Sequence, residues 1–288
     1  MTRPRWFTAS LFILIAACSA GARPEPTIGL PPSSEAPATT IATPDLTLPG
    51  PSDEVILVVG DEGGFVPVEY LAQRLPRFQV MADGRLFFQG AVPAIFPGPA
   101  VPNVQMTQLS AAEVGTLIRI AEDMGLDKMV DEANREAADR VADATDTFVT
   151  FYDEAGEHRF SVYALGLVTA GDDRVRQLEK LITQLDGLTA SGESVAYVPE
   201  RFRVYVLDAP PGSDPQFRNV QIWPLALDPR TGDPAFLGWP CTVVDGDDAA
   251  LLHGALAQAN QTTLWNLDGA ELGIIVRPML PGDEGCAS

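Results

Sequence analysis

Nucleophilic hydrolysis needs three groups: the nucleophile, a base beside it and a residue that orients the base. The 288 residues contain only two histidines, His158 and His253. His158 follows a hairpin signal and His253 falls in a helical pattern, and neither has a partner at a recognisable spacing. No Gly-x-Ser-x-Gly elbow occurs. A solvated hairpin histidine and a helix-surface histidine are the preferred readings. Carboxylates pose the opposite problem. There are 39, and a glycosidase-like pair picked from so many carries no information. Asp245, Asp247 and Asp248 ("DGDD") invite calcium, but the EF-hand pattern fails, with no glycine at its sixth place and no closing glutamate. Aspartate where a helix starts is the ordinary capping choice. "GDEGG" (60–64) is too short for a phosphate cradle and lacks its lysine. With no Gly-x-Gly-x-x-Gly either, no cofactor is expected. Phe65, Tyr70, Trp223, Trp239 and Trp265 lie mostly in or near loops. They either anchor a partner or a glycan or, as preferred, plug the core under long loops.

The three cysteines separate by position. Arg3 and Arg5 precede an apolar run from Trp6 to Ala17, the layout of a signal peptide. The run is shorter than the roughly 20 apolar residues of a spanning helix. Ile15-Ala16-Ala17-Cys18 resembles the bacterial lipobox, which implies cleavage before Cys18 and a diacylglyceryl thioether on its sulfur. An ordinary signal peptide with a chance cysteine is the alternative. Residues 1–17 thus read as a lipoprotein signal peptide, and the Cys18 lipid as the anchor to the outer face of the cytoplasmic membrane. Residues 18–52 carry prolines at 24, 26, 31, 32, 37, 44, 49 and 51 among Ser and Thr. Such a segment buries too little to order itself and reads as a disordered tether. Its reach is roughly 30 Å as a coil and about 100 Å as polyproline II.

Cys241 and Cys286 remain. Paired thiols of an exported chain usually oxidise, so a Cys241–Cys286 disulfide is expected, with two unrelated buried thiols as the alternative. No other Cys or His is near either one in sequence, which argues against a metal there. The net charge of −20 repels nucleic acid and anionic head groups, so the Cys18 lipid must hold the chain to a membrane.

The elements that position these residues follow from periodicity. "VILVV" (55–59) reads as a buried strand. "FQVM" (78–81) and "RLFFQ" (85–89) flank Asp83-Gly84, a hairpin turn. Residues 90–108 read as one long Pro-rich apolar loop, either functional or, as preferred, packed flat over the core. Ser110 and Glu113 form a capping box ahead of Val114, Leu117, Ile118, Ala121 and Met124 at helical spacing, and Gly125 ends that helix. An Ala-rich helix is expected over 127–141, a hairpin from 147–152 to 158–165, and a helix over 172–188. Residues 202–207 read as a strand, 209–241 as a loop and 242–244 as a short strand. A helix follows 245–248, and a last hairpin joins 262–266 to 271–279 through Asp268-Gly269. Helix-then-hairpin thus occurs twice, at 110–165 and 247–279, as a pseudo-repeat or as a common idiom.

The ordered phrases "GGFVP", "LPRFQVMADGRL", "FPGPAVPN", "AEDMGL", "YALG", "WPLA", "DGDDAALL", "ANQTTLW" and "VRPMLP" resemble a family of uncharacterised bacterial exported proteins and lipoproteins. The likeness covers nearly all of 54–286. It implies localisation and architecture, and its two Cys phrases match Cys241 and Cys286. The expected fold is α+β, antiparallel hairpins with helices on one face, in lobes 53–190 and 200–288. The expected role is a surface-tethered binding or interaction module. A cell-envelope hydrolase with a carboxylate site is the alternative, and two convergent carboxylates in a concave pocket would favour it.

Overall fold

A computed structural model describes residues 47–125, 130–133, 141–167, 173–208 and 215–286. These all belong to one compact unit, 44–288. The fold is α+β, as expected, with two sheets and four α-helices among the described residues.

The first sheet has eight strands. Val55–Gly63 (β1) is central, flanked by the hairpin Phe78–Met81 (β2) and Arg85–Gln89 (β3) on one side. The hairpin Thr145–Asp153 (β6) and Gly156–Tyr163 (β7) lies on the other. Gly84 closes the first hairpin at φ +85, a conformation that favours glycine. Val104–Gln108 (β4) and Ser194–Ala196 (β8) extend the sheet past β3, and Val130–Ala133 (β5) pairs in parallel with β7. Alternate residues of the sheet, among them Leu57, Val59, Val80, Leu86, Val149 and Phe160, face two helices. Those helices are Ala111–Asp123 (α2) and Asp173–Ser191 (α3), which present Val114, Leu117, Leu178, Leu181 and Leu185 at three- and four-residue spacing. Burying each such side chain stabilises by about 1.5–3 kcal/mol. Both bonds of the α2 capping box form: Glu113 N–H donates to Ser110 Oγ (3.3 Å) and Ser110 N–H donates to Glu113 Oε2 (2.7 Å).

The second sheet has six strands. Arg201–Val206 (β9) is central, between Pro240–Asp245 (β12) and Ala270–Pro278 (β14). Thr263–Leu267 (β13) forms a hairpin with β14, and Asn219–Ile222 (β10) and Asp233–Pro234 (β11) are the edges. Helix Gly246–Leu256 (α4) packs Leu252 and Leu256 on Phe202, Val204 and Val276. The opposite face, with Tyr205, Ile275 and Cys241, takes Ala72 of helix Val68–Gln73 (α1) and Trp239.

The sheets exchange segments. Helix α1, which follows the first sheet's central strand, docks on the second sheet. The tail after β14 returns to the first, where Leu280 packs with Met81 and Phe87. Beside each central strand sits a hairpin, but β6, the first strand of its pair, adjoins β1, whereas β14, the second of its pair, adjoins β9. The two helix-then-hairpin units therefore run through their sheets in opposite chain order.

Three expectations are corrected. Residues 209–241 are not all loop, since Asn219–Ile222 and Asp233–Pro234 pair as the edge strands of the second sheet. Residues 90–108 are not all loop, because the prolines end at 102 and Val104–Gln108 pairs with β3. The helix expected over 127–141 is overturned at Val130–Ala133, a strand. An open edge of β7 offers main-chain partners, and sheet pairing overrides a local helical preference. Residues 126–129 and 134–140 lie outside the described residues.

Candidate functional site

A cleft of about 1240 Å³ opens between the two sheets. Its first wall is the end of the eight-stranded sheet where β1 finishes and β6 begins, marked by Asp61, Thr145, Phe78, Phe88 and Gln89. Its second wall is β14, at Ile274–Val276, with residues 260–263 beside it. Helix α1 contributes Glu69, Tyr70 and Gln73. Residues 90–103, between β3 and β4, cross the cleft as a strap.

Few bonds hold the strap. Gly90 N–H donates to Asn103 O (2.9 Å) and Asn103 Nδ2 to Ala91 O (2.9 Å). Gln73 Nε2 donates to both Ala100 O (2.9 Å) and Val276 O (3.0 Å), tying strap, α1 and β14 together. On the far wall Gln261 N–H donates to Gly98 O (3.0 Å), next to a bridge between Pro99 and Asn260. A Cβ on Gly98 would lie 2.8 Å from Gln261 Oε1, the end of a flexible side chain that would have to shift.

The strap's apolar side chains are not buried. Ile95 is 65% exposed and Phe96 61%, with Val92 also exposed. Phe96 meets the ring of Phe217 edge-on at 5.0 Å. On the α1 side of the cleft Tyr70 is exposed as well; Phe65, 88% exposed, lies outside the lining. The preferred reading of 90–108, apolar residues packed flat over the core, is corrected here: the strap's middle turns them outward. The five aromatics also divide. Trp223, Trp239 and Trp265 plug the core, with Trp223 Nε1 donating to Leu227 O (2.8 Å). Phe65 and Tyr70 do not.

Among the described residues, four of the five charged side chains that line the cleft are engaged, and Glu69 on α1 is the exception. Arg77 Nη2 pairs with Asp186 Oδ2 at 2.9 Å. Thr147 Oγ1 donates to Asp61 Oδ1 at 2.7 Å. Arg74 donates to two carbonyls, Asp61 O (3.2 Å) and Gly63 O (3.0 Å).

The residues singled out by sequence lie elsewhere. Cys241 and Cys286 form a disulfide with Cα atoms 5.8 Å apart, within the usual span. Cys18 lies outside the described residues. His158 is buried, not solvated: Phe151 lies beside its ring and Nε2 sits 2.9 Å from Asp153 Oδ1. That bond holds the Asp153 carboxyl below its ordinary value. His253 is exposed on α4, stacked on Phe202. Asp245 occupies the α4 N-cap position, yet its side chain makes no capping bond, while Asp247 and Asp248 lie in the first turn. Among the described residues no cluster of three or more Cys, His, Asp or Glu is placed to hold a metal ion, and no helix is long and apolar enough to cross a membrane.

Three arginines were invisible to motif reading. Arg277, Arg201 and Arg203 grip the tail: Arg277 Nη1 donates to Asp283 Oδ2 (2.6 Å), Arg201 Nη2 to Asp283 O (2.8 Å) and Arg203 Nη2 to Glu284 O (2.7 Å). Arg277 Nε also donates to Arg74 O at the end of α1 (3.0 Å), so the tail helps to fix the helix that lines the cleft. No protein-family model, curated protein or solved structure matches the chain.

Proposed function

We propose that the protein is a lipid-tethered binding module of the bacterial cell envelope, and that the cleft under the strap is its binding site. The observation that carries the second half is a large open cleft rimmed by exposed Val92, Ile95, Phe96 and Tyr70. Large apolar side chains grouped around a concavity are characteristic of interaction sites. What supports binding over carboxylate hydrolysis is the state of the acids. Of the three acids that line the cleft, Asp186 is in an ion pair and Asp61 accepts a hydroxyl, which leaves Glu69 alone, whereas such chemistry wants a pair, one acid held protonated opposite a free carboxylate. The tethered half of the reading rests on the charged n-region, the short apolar run and Cys18, and on the family resemblance.

The cleft is tested by titrating the full chain carrying Cys18→Ser with the apolar dye bis-ANS. Saturable fluorescence that falls in Ile95→Ser supports the site, and dye binding indifferent to Ile95→Ser and Val92→Ser contradicts it. The anchor is tested by labelling cells with a fatty-acid analogue. Label should appear on the wild-type chain and vanish with Cys18→Ser.

A further inference from the structure

The geometry points to an extended, apolar and basic polypeptide segment as the cleft's ligand, docked along the main chain of the strap; this rests on the cleft being the binding site. Three observations select it.

The first is the strap's backbone. In the middle of the strap, 91–96, Ile95 is the one residue whose N–H has a partner among the described residues, and that partner is Pro93 O; farther on, the bridge at Pro99–Asn260 fastens the chain. Val92, Ala94 and Phe96 have neither N–H nor C=O engaged within the described chain. Prolines at 93, 97, 99 and 102 restrict φ, so this row of donors and acceptors is held partly preorganised, which lowers the ordering cost of binding. A polypeptide has both the donors and the acceptors to match such a row, and side-chain pockets then supply specificity. An acyl chain matches none of it. Val92, Ile95, Phe96 and Tyr70 supply the apolar anchorage. At about 1240 Å³, the cleft exceeds the roughly 300–1,000 Å³ of small-molecule sites.

The second is charge. The chain carries −20, and in the cleft Asp61, Glu69 and Asp186 outnumber Arg74 and Arg77, of which Arg77 is paired with Asp186. An acidic surface steers and retains a basic partner.

The third is orientation. The chain joins the first sheet at the β2–β3 turn: Ser52 N–H donates to Asp83 Oδ2 (3.1 Å), and Leu48 packs at Gly84. The cleft lies at the other end of the same strands, where β1 reaches Asp61 and β3 reaches Gln89. At about 3.3 Å per residue, the run of β1 from Val55 to Asp61 separates the two ends by roughly 20 Å. The upstream chain therefore enters at the end opposite the cleft and leaves the lips unobstructed.

The test pans a phage-displayed library of random 12-residue peptides against the full chain with Cys18→Ser, then measures selected peptides by fluorescence anisotropy. Sequences rich in aliphatic or aromatic residues and in Lys or Arg should be enriched. Their affinity should fall about tenfold in Ile95→Ser, as for an interface anchor, and should weaken with added salt. Far-UV circular dichroism and the melting temperature of Ile95→Ser should match the parent, which excludes misfolding as the cause. Absence of enrichment, enrichment of acidic peptides, or affinity indifferent to both Ile95→Ser and Val92→Ser overturns the proposal. Neutral phosphatidylcholine vesicles serve as a second probe. Should vesicles or bis-ANS bind in an Ile95-dependent way while no peptide does, the cleft stands and the polypeptide ligand fails. If none binds, both readings fail.

Discussion

Two irregular segments cross the boundary between the sheets, and their chemistry is opposite. The tail, 279–286, is polar, acidic and fastened. Its carbonyls at 281, 283 and 284 accept from Gln79, Arg201 and Arg203, its Asp283 carboxylate from Arg277, and Cys286 closes on Cys241. Leu280 is buried among Met81 and Phe87. The strap, 90–103, is apolar and unfastened in its middle, with Ile95 and Phe96 turned outward. Ordinary folding energetics would bury the second and leave the first in water. The tail shows how thoroughly this chain satisfies a segment whose task is to hold the sheets together. The strap's open backbone and bare side chains, in the same molecule, mark a surface that something else is to cover.

The sharpest ways to break that contrast act on the tail. Cys286→Ala opens a loop spanning 45 residues, and the chain-entropy account values its closure at about 4 kcal/mol. Urea unfolding of the oxidised parent and the variant should differ by most of that, with the tail becoming protease-sensitive. Arg277→Met comes next. Arg277 is 8% exposed and bonds to both Asp283 and Arg74 O. Removing one side of so buried a pair should cost about 3 kcal/mol, read as a lower urea midpoint at unchanged slope.

A smaller effect tests the tail through pH. Tyr197 donates its hydroxyl to Met279 O (3.1 Å), and burial, aided by Glu200, pushes its phenol from 10.0 up to about 12. Because the folded state favours the neutral phenol, its contribution is complete below pH 10.0 and is lost as pH rises toward about 12. Unfolding midpoints should fall across that window. Tyr197→Phe should flatten the fall while costing about 1 kcal/mol at neutral pH for the lost hydrogen bond. Smallest of all is the strap. Ile95→Ser should change stability by less than about 0.5 kcal/mol, as for an exposed site, while removing most ligand affinity. A loss of several kcal/mol there would mean the strap is core after all, and the contrast would collapse.

What the sequence disclosed was local. The Asp83-Gly84 and Asp268-Gly269 turns, the Ser110–Glu113 box and the Leu178, Leu181, Leu185 stripe each act within a few residues, and each forms as read. The cysteine pair was legible because reading Cys18 as lipidated and the chain as exported leaves two thiols expected to oxidise. What escaped was long-range. No local pattern announces that Val130–Ala133 will find the edge of β7, that Asn219–Ile222 will run parallel to β13, or that α1 and the tail will trade sheets. His158 looked solvated because hairpin ends usually are, yet Phe151 and Asp153 enclose it. The strap was visible as an unusual loop, but apolar composition argues for burial. Only the three-dimensional structure shows Val92, Ile95 and Phe96 exposed, in a strap fastened at Gly98 by the Gln261 N–H.

Hydrogen–deuterium exchange, followed residue by residue on the full chain, tests the contrast most directly. In the free protein the amides of Val92, Ala94 and Phe96, which have no partner among the described residues, should exchange near their intrinsic rates. Those of Leu280 and Asp283, donating to Asp283 Oδ2 and Leu280 O, should be strongly protected. With a saturating selected peptide, the strap amides should slow by an order of magnitude or more and the tail amides should stay as they were. Strap amides already protected in the free chain, or unmoved by the bound peptide, would contradict the account.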